Sequence, residues 1–195
     1  MVPMPIAGTA RPEFKLEIKT RRLTLRTLEP ADAPSVFAYR SLPEVRRFQT
    51  WGTESMEEIE RYVRGLDAMT PGTPGAWYQL GIIREPESQL IGDCGFRVFE
   101  HEPQQAEIGI ALAPGHQGHG YATEAFYALL DYLFVRLGKH RVIGSVDPRN
   151  LKSVQLLRRV GMRHEASFVK SLWFEGEWVD DDIYAMLATE WPEHR

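Results

Sequence analysis

The chain is poor in the residues on which several classes of protein depend. It has 195 residues but one cysteine, Cys94, so that no disulfide can form within it and no cysteine cluster can hold a metal. The six histidines show neither HExxH nor HxH spacing, and a metal site is therefore not expected. The run LIGDCGF around Cys94 is apolar and strand-like, which favours a buried small side chain over a nucleophile.

Basic charge and long apolar runs are also limited. The 27 acidic residues outnumber the 23 lysines and arginines, and a net charge of -4 argues against a general nucleic-acid binder. No apolar run approaches the roughly 18 residues that a membrane helix needs. Residues 1–15 have neither the basic nor the apolar region of a secretory signal. We therefore expect a cytoplasmic protein with no nucleic-acid and no membrane partner.

Apolar periodicity divides the chain into strands and helices. The Pro-, Gly- and Ala-rich residues 1–15 are expected to form a loose arm, and residues 16–195 a single domain. The pattern predicts a strand over 16–30, helices starting at Asp32 and Ser55, strands over 77–85, 89–99 and 106–113, a helix over 123–137, a strand over 141–147, a helix ending at Gly161, and two strands turning at 175–176. This order indicates a mixed α+β fold.

One glycine-rich segment, PGHQGHGYATEA at 114–125, lies between a predicted strand and a predicted helix. The first NH groups of a helix have no partner within it, and together with the helix dipole they attract anions. Gly115, Gly118 and Gly120 allow a ligand to approach closely and allow positive φ angles. The segment therefore predicts a site for a phosphate or pyrophosphate.

Two well-known phosphate loops do not fit this segment. A P-loop needs Gly-Lys followed by Ser or Thr, whereas Tyr121 follows Gly120. A dinucleotide fingerprint needs GxGxxG, whereas Thr123 occupies its last position. Neither motif explains the segment.

A third pattern fits. Residues Gln117 to Ala122 have the form Q/R-x-x-G-x-G/A, and with their flanking strand and helix they resemble the acyl-CoA-binding element of the GNAT superfamily of N-acetyltransferases. Three further segments are similar to the branch that acetylates the N-terminal residues of ribosomal proteins: TRRLTLRTLEPADAPSVFAYRSLPEV, DPRNLKSVQLLRRVGM with its N-x-x-S spacing, and FEGEWVDDDIYAML. The resemblance covers about residues 18–191.

The resemblance implies a GNAT-like, twisted and largely antiparallel sheet that is flanked by helices and split into a V around a coenzyme A (CoA) cleft. Acetyl-CoA would lie between strands 106–113 and 141–147. The residues that the resemblance assigns to its binding are Ile110, Ala111, Leu112, Gln117, Gly118, His119, Gly120, Tyr121, Ala122, Asn150 and Ser153. In this set the strand backbone pairs with the pantetheine arm, NH groups of 118–122 hold the pyrophosphate, and Asn150 bonds to the arm.

Acetyl transfer needs a neutral amine, an acceptor for its proton and stabilisation of an oxyanion. An α-amine has a pKa of about 8, so that a weak base acting through water suffices. Glu107 is the predicted base because it lies on the strand that would present the thioester. Alternation alone leaves open whether Glu107 instead faces solvent. A backbone NH near Ile110 or Ala111 would stabilise the oxyanion.

The departing thiolate must also be protonated. Many relatives carry a tyrosine for this purpose seven residues after the asparagine, but Leu157 stands there in this chain. The proton donor is then a bound water, Ser153 or a tyrosine elsewhere in the chain. Of these, Ser153 is the residue that we name as a catalytic candidate.

Other polar and aromatic residues have two interpretations each. His116 and His119 are expected at the surface, where a protonated His119 can contact phosphate. Glu124 complements the helix dipole, and Tyr121 packs. The tryptophans at 51, 77, 173 and 178 line an acceptor groove or pack, and the aspartates at 180, 181 and 182 attract a cationic amine or form a solvated turn.

These observations predict an acetyl-CoA-dependent N-acetyltransferase acting on a primary amine, with the N-terminal amine of a protein as the leading acceptor. Small amines such as polyamines or aminoglycosides are the first alternative, because function belongs to sites rather than to folds. A non-catalytic acyl-CoA sensor is the second, since the tyrosine is missing at 157. The sequence leaves the acceptor, and the choice between monomer and homodimer, open.

Overall fold

The computed structural model describes residues 15–49 and 55–191. The predicted arm, apart from its last residue, and Trp51 lie outside these ranges. Strands are β1 (Glu17–Lys19), β2 (Leu23–Thr27), β3 (Trp77–Arg84), β4 (Gln89–Val98), β5 (Gln105–Leu112), β6 (Arg141–Val146), β7 (Arg163–Phe174) and β8 (Glu177–Leu187). Helices are α1 (Ala33–Arg40), α2 (Pro43–Arg46), α3 (Met56–Leu66), α4 (Tyr121–Asp131) and α5 (Leu151–Arg159), with short 3-10 turns at Pro30–Asp32 and Pro114–His116 and a π-helical turn at Tyr132–Arg136.

The strands form one eight-stranded sheet in the order β1-β2-β3-β4-β5-β6-β8-β7. All neighbours are antiparallel except β5 and β6, which run parallel. Helices cover both faces, so that the predicted mixed and largely antiparallel α+β fold is confirmed. No helix of the two described ranges is long and apolar enough to cross a membrane.

The prediction of one strand over 16–30 is wrong, because the segment folds back as the β1–β2 hairpin. The Thr20 hydroxyl donates to the carbonyl of Leu23 at 3.1 Å and accepts from its NH at 2.9 Å, which closes the turn. Both arms keep the same period-2 alternation, so periodicity did not reveal the reversal.

Most other boundaries agree with the sequence. Ser55 caps α3 by accepting from the NH of Glu58 at 3.2 Å, and Gly161 adopts φ 91° after α5. Asp32 precedes α1 as predicted, but its carboxylate binds the guanidinium of Arg26 instead of a helix NH. The helix predicted over 123–137 is α4 followed by the π turn, and α2 was not predicted.

The V-shaped opening lies between β5 and β6. The two strands pair at Gln105 with Arg141, Ala106 with Val142, and Glu107 with Ile143, and their pairing ends there. Beyond that point β5 continues to Leu112 and β6 to Val146 without pairing to each other. The predicted split of the sheet between these two strands is therefore present.

A buried ion pair joins α1 to the middle of the sheet. Arg40 and Asp93 keep side-chain exposures of only 5% and 1%, and Arg40 Nε donates to Asp93 Oδ1 at 3.0 Å. The hydroxyl of Tyr39 also donates to this carboxylate. A buried charge left without its partner is costly, so this cluster fixes α1 against β4.

We expect Asp93→Asn to lower the free energy of unfolding by about 3–5 kcal/mol, because it removes the carboxylate charge that pairs with the buried Arg40 guanidinium. Urea unfolding measures the loss. The control is Glu60→Gln, which breaks an exposed pair with Arg64 and should cost about 0.5 kcal/mol or less. The double variant Arg40→Met/Asp93→Leu should recover much of the loss. A loss for Asp93→Asn no larger than that of the control would contradict this role.

Candidate active site

A cavity occupies the opening between β5 and β6. Its lining comes from both strands, from α4 and α5, from the segment after α2 and from the β7–β8 hairpin: Phe48, Gln49, Trp77, Glu107, Ile108, Gly109, Ile110, Phe126, Gly144, Ser145, Val146, Asp147, Asn150, Ser153, Leu156, Leu157, Leu172, Phe174, Val179 and Asp181. The cavity therefore passes through the sheet and connects its two faces.

The two faces differ in what covers them. Phe96 packs on Tyr132, which follows α4, and a Cβ on Gly144 would lie 2.7 Å from Leu157 of α5. We call this side the α5 face. Because side chains alternate along a strand, the residues next to Phe96 and Gly144 point to the opposite side of the sheet, toward α1. Glu107 is in register with Ile143, so that Ser145, two residues further on, shares the side of Glu107. We call that side the α1 face.

The open edge of β5 presents backbone groups to the cavity. The NH of Ala113 donates to the carbonyl of Ile91 on the β4 side at 2.9 Å. In an antiparallel strand each residue points its NH and carbonyl to one side, and successive residues alternate. Ile110 and Leu112 therefore point their groups at the cleft, whereas Ala111 points toward β4. Of the two NH groups predicted for the oxyanion, only that of Ile110 opens on the cleft.

The glycine-rich loop presents unpaired NH groups at the start of α4. The first helical bond runs from the NH of Glu124 to the carbonyl of Gly120, and no described residue accepts from the NH groups of 118–123. Gly118 and Gly120 have φ angles of 81° and 80°, as their positions in the motif predicted. Residues 118–120 are exposed, and a Cβ on Gly118 would meet no atom within 4 Å. The loop faces outward and is not blocked by side chains.

A carboxylate holds this loop to the β1–β2 turn. Glu124 accepts from the Thr20 hydroxyl at 2.6 Å and from the NH and Nε of Arg22 at 2.8 and 2.7 Å. Arg22 Nη1 donates to the carbonyl of His119 at 3.1 Å, and its guanidinium lies 4.7 Å from the centroid of Tyr121. Burial by itself would raise the pKa of Glu124, but these hydrogen bonds outweigh it and lower the pKa. The dipole role predicted for Glu124 omitted this long-range contact.

Polar side chains connect the loop to both walls of the cleft. Gln117 donates to the carbonyl of Leu112 at 3.1 Å and accepts from Lys152 of α5 at 2.9 Å. Asn150 caps α5 by accepting from the NH of Ser153 at 3.2 Å, and both residues line the cavity. Gln117, Asn150 and Ser153 therefore surround the cleft between β5 and α5.

These features fit a CoA molecule. Unpaired NH groups converge at a helix N-terminus, glycines leave room beside them, and Lys152 adds a positive charge near the loop. On the unpaired edge of β5 the carbonyls of Ile110 and Leu112 accept from Gln49 at 3.5 Å and Gln117 at 3.1 Å, and the NH groups of the two residues could bind an extended amide-containing arm. Residues 118–122 would hold the pyrophosphate, and the arm would run past Ile110, Leu112, Asn150 and Ser153.

Three carboxylates line the cavity, Glu107, Asp147 and Asp181, and their partners differ. Asp147 pairs with Arg149. Glu107, the predicted base, receives a 2.6 Å ion pair from Arg97 on β4 and keeps 15% exposure. Asp181 of β8 accepts from the Ser145 hydroxyl at 2.7 Å. Burial raises the pKa of Asp181, as do the charges of Asp182 and Asp147, and these causes outweigh the hydrogen bonds from the Ser145 hydroxyl and the Val146 backbone, which lower it. The sequence marked the aspartates at 180–182 without indicating which of them reaches the cleft.

The position of the missing tyrosine is filled by an apolar side chain. Leu157 is 4% exposed and packs on Gly144. The cavity lining that the structure describes contains no tyrosine, and its hydroxyl groups belong to Ser145 and Ser153. Ser153 thus stays the predicted acid.

The other residues that the sequence singled out lie in the cleft, at the surface or in the core. Trp77 lines the cavity, whereas Trp173 and Trp178 are 58% and 53% exposed and pack edge to face at the hairpin. His119 is exposed and stacks on Tyr121, and His116 is half-buried; neither lines the cavity. Cys94 is fully buried, as predicted, and burial raises its pKa.

Comparison with known proteins identifies the family that the sequence motifs resemble. The family described as acetyltransferase (GNAT) domain matches residues 22–163. The chain is 32% identical to the uncharacterized N-acetyltransferase YnaD of Bacillus subtilis over 90% of this chain and 99% of that protein. It is 25% identical to the ribosomal protein uS5-alanine N-acetyltransferase of Escherichia coli, over 93% and 95% of the two chains.

One similar solved structure is that of a spermidine N-acetyltransferase. It is a chimera of the spermidine N-acetyltransferase SpeG of Vibrio cholerae with hSSAT, and it is similar with a TM-score of 0.74 and 25% identity. The likeness covers 87% of this chain and 98% of that one.

We expect Gly118→Ala to weaken CoA binding about tenfold, because its Cβ occupies the open side of the loop and its left-handed φ costs about 1 kcal/mol. Calorimetric titration with CoA measures the change. Gly115→Ala is the matched control, since Gly115 is also surrounded by open space but has no positive φ, and it should bind nearly as the parent does. Equal affinities of the two variants would show that the loop does not hold the coenzyme.

Glu124→Gln is expected to lower the free energy of unfolding by about 1–3 kcal/mol at neutral pH, since hydrogen bonds to a charged carboxylate are lost. A lowered folded pKa means that this stabilisation is complete above the ordinary pKa of 4.5 and disappears as the pH falls through the folded value. Urea unfolding at neutral pH and well below pH 4.5 should show the difference shrinking. A difference that stays constant with pH would refute the charge-based explanation.

Proposed function

The chain belongs to the GNAT acetyltransferase family, and we propose that it transfers the acetyl group of acetyl-CoA to the N-terminal α-amine of a protein. GNAT enzymes are N-acetyltransferases that use acetyl-CoA. The proposal concerns the acceptor and the residues that act on it.

The observation that carries the proposal is the pattern of charge on the α1 side of the cavity. Three carboxylates line the cavity, but Arg97 pairs with Glu107 and Arg149 pairs with Asp147. Within the described ranges, only Asp181 among them has no cation at ion-pair distance. One unpaired carboxylate matches one ammonium group, as an N-terminus presents. A polyamine, which carries several ammonium groups, would be better matched by several unpaired carboxylates.

The lining of this side also suits a peptide. Phe48, Trp77 and Phe174 are half-buried in the wall between the segment after α2 and the β7–β8 hairpin. Aromatic side chains of this kind cover the backbone and small side chains of a bound peptide. The likeness to the uS5-alanine N-acetyltransferase over 93% of this chain supports the same acceptor class.

The two substrates would approach from opposite faces of the sheet. The loop at 118–122 precedes α4 on the α5 face, and Asp181 opens on the α1 face. Acetyl-CoA supplies the activated acetyl group when bound. The NH of Ile110 stabilises the oxyanion, Ser153 donates to the departing sulfur, and the apolar wall at Ile108 and Leu157 excludes water. Glu107 stays the sequence-based prediction for the base.

A small amine is the second candidate, favoured by the similarity to the spermidine N-acetyltransferase structure. Its ammonium groups would bind to the carboxylate of Asp181 and to other acidic residues of the β7–β8 hairpin. The sensor alternative depends on Leu157, because the hydroxyl that many relatives carry there is missing.

We expect peptides with a free N-terminal alanine or serine to be acetylated with a kcat/KM at least tenfold above that of spermidine, because one ammonium group meets one unpaired carboxylate. Thiol release at matched concentrations measures the rates, and the same peptides with a blocked N-terminus are the control. A higher rate for spermidine would favour the small-amine candidate. Binding of acetyl-CoA without turnover on any amine would favour the sensor.

A further inference from the structure

We propose that Asp181, positioned by Ser145, receives the proton of the acceptor amine, in place of Glu107. The inference rests on the proposed acetyl transfer to an amine and adds the residue that makes the amine nucleophilic. Neither the sequence pattern nor the family resemblance pointed to this single aspartate.

The position of Asp181 follows from the pairing of β8 with β6. Val146 pairs with Asp182, so that Asp181 lies just beyond the end of this ladder. From there its carboxylate reaches back to Ser145, whose hydroxyl donates at 2.7 Å. Ser145 is two residues past Ile143, where β5 and β6 stop pairing. Asp181 therefore lies at the mouth of the opening, where an amine entering from the α1 face would arrive.

The orientation of this pair separates it from the coenzyme side. Gly144 is packed against Leu157 of α5, so its neighbour Ser145 points to the other face. The loop at 118–122 and α5 lie on the first face, and Asp181 lies on the second. A base on the second face contacts the acceptor without crossing the pantetheine path.

The partners of the two carboxylates favour Asp181 as the proton acceptor. Glu107 is held by Arg97, whose guanidinium also lies over the ring of Trp77 at 5.5 Å, so that this ion pair supports the wall of the cavity. Asp181 has a hydroxyl donor instead, and a hydroxyl can turn when an ammonium or a proton arrives. Partial burial and neighbouring negative charge raise the pKa of Asp181, which makes it a better proton acceptor near neutral pH.

The charged groups around Asp181 come from β8, from the end of β6 and from the segments before α5 and after α2. Asp182 neighbours it on β8, and Asp147 lies at the end of β6. Arg149, just before α5, forms ion pairs with Asp147 and with Glu177 of the hairpin. The positive charge of Arg47, after α2, lowers the pKa of Asp147. Arg149 pairs with Asp147 and Glu177 but not with Asp181, which leaves Asp181 for a substrate cation.

The ammonium group of the acceptor loses two protons during acetyl transfer. One N–H bond of the ammonium breaks and an O–H bond forms on Asp181, so that the nitrogen keeps the electron pair with which it attacks the acetyl carbon. When the C–S bond breaks, sulfur takes its electron pair and the proton of the Ser153 hydroxyl, and the second amine proton restores that hydroxyl. Asp181 then releases its proton to water.

The test compares pH profiles of kcat/KM for a peptide acceptor in the wild type, Asp181→Asn and Glu107→Gln. Asp181→Asn should lower kcat/KM about 10²-fold or more at neutral pH, with the defect shrinking at alkaline pH, where the amine is neutral without help. An acceptor of lower amine pKa should rescue it for the same reason. Glu107→Gln should keep the acid limb of the profile. Asp180→Asn, which removes the neighbouring charge that contacts Lys170, is the control and should change activity less than about threefold.

A second variant keeps the proposal testable if Asp181→Asn folds poorly. Ser145→Ala removes a hydrogen bond that lowers the pKa of Asp181, so that the acid limb should move to higher pH. CoA affinity, measured by calorimetry, should remain at the wild-type value in every variant. Loss of the acid limb in Glu107→Gln but not in Asp181→Asn would overturn the inference, as would unchanged profiles in Asp181→Asn and Ser145→Ala. Those outcomes leave acetyl transfer intact, whereas a wild type that acetylates no amine would reject the proposed function and the inference with it.

Discussion

The parallel pairing of β5 and β6 ends after Glu107 and Ile143, and the cleft exists because it ends there. Each strand remains fixed on its far side, β5 by β4 and β6 by β8, so that the sheet stays continuous while its centre opens. The right-handed twist of neighbouring strands lets them diverge once no ladder bond holds them together. The divergence leaves the NH of Ile110 without a strand partner, and in the proposed reaction it would give two substrates access from opposite faces.

The helices on the α5 face give this opening its shape. Gly144 lets Leu157 approach the sheet, and Asn150 fixes the start of α5 through its side-chain cap. On the other wall, Glu124 ties the start of α4 to Arg22 and Thr20, more than a hundred residues earlier in the chain. The glycine-rich loop is therefore exposed but anchored at its base, which reduces the conformational entropy lost when it binds an anion.

Charge pairing decides which carboxylate of the cavity can meet a substrate. Arginines neutralise Glu107 and Asp147, whereas Asp181 is held by a serine hydroxyl. The same three carboxylates with a different distribution of arginines would attract a more highly charged acceptor. In the proposed function, specificity thus depends on the partners of the acidic residues as much as on the residues themselves.

The sequence by itself determined the strand and helix order, the capped start of α3 at Ser55 and the phosphate-type loop, because caps, glycines and apolar alternation act over a few residues. It did not show the β1–β2 reversal, since both arms share one alternation. It also named Glu107 as the base and did not separate Asp181 from its neighbours Asp180 and Asp182. Only the tertiary structure decided that Arg97 binds Glu107 and Ser145 binds Asp181, because those partners come from neighbouring strands whose register no local pattern encodes.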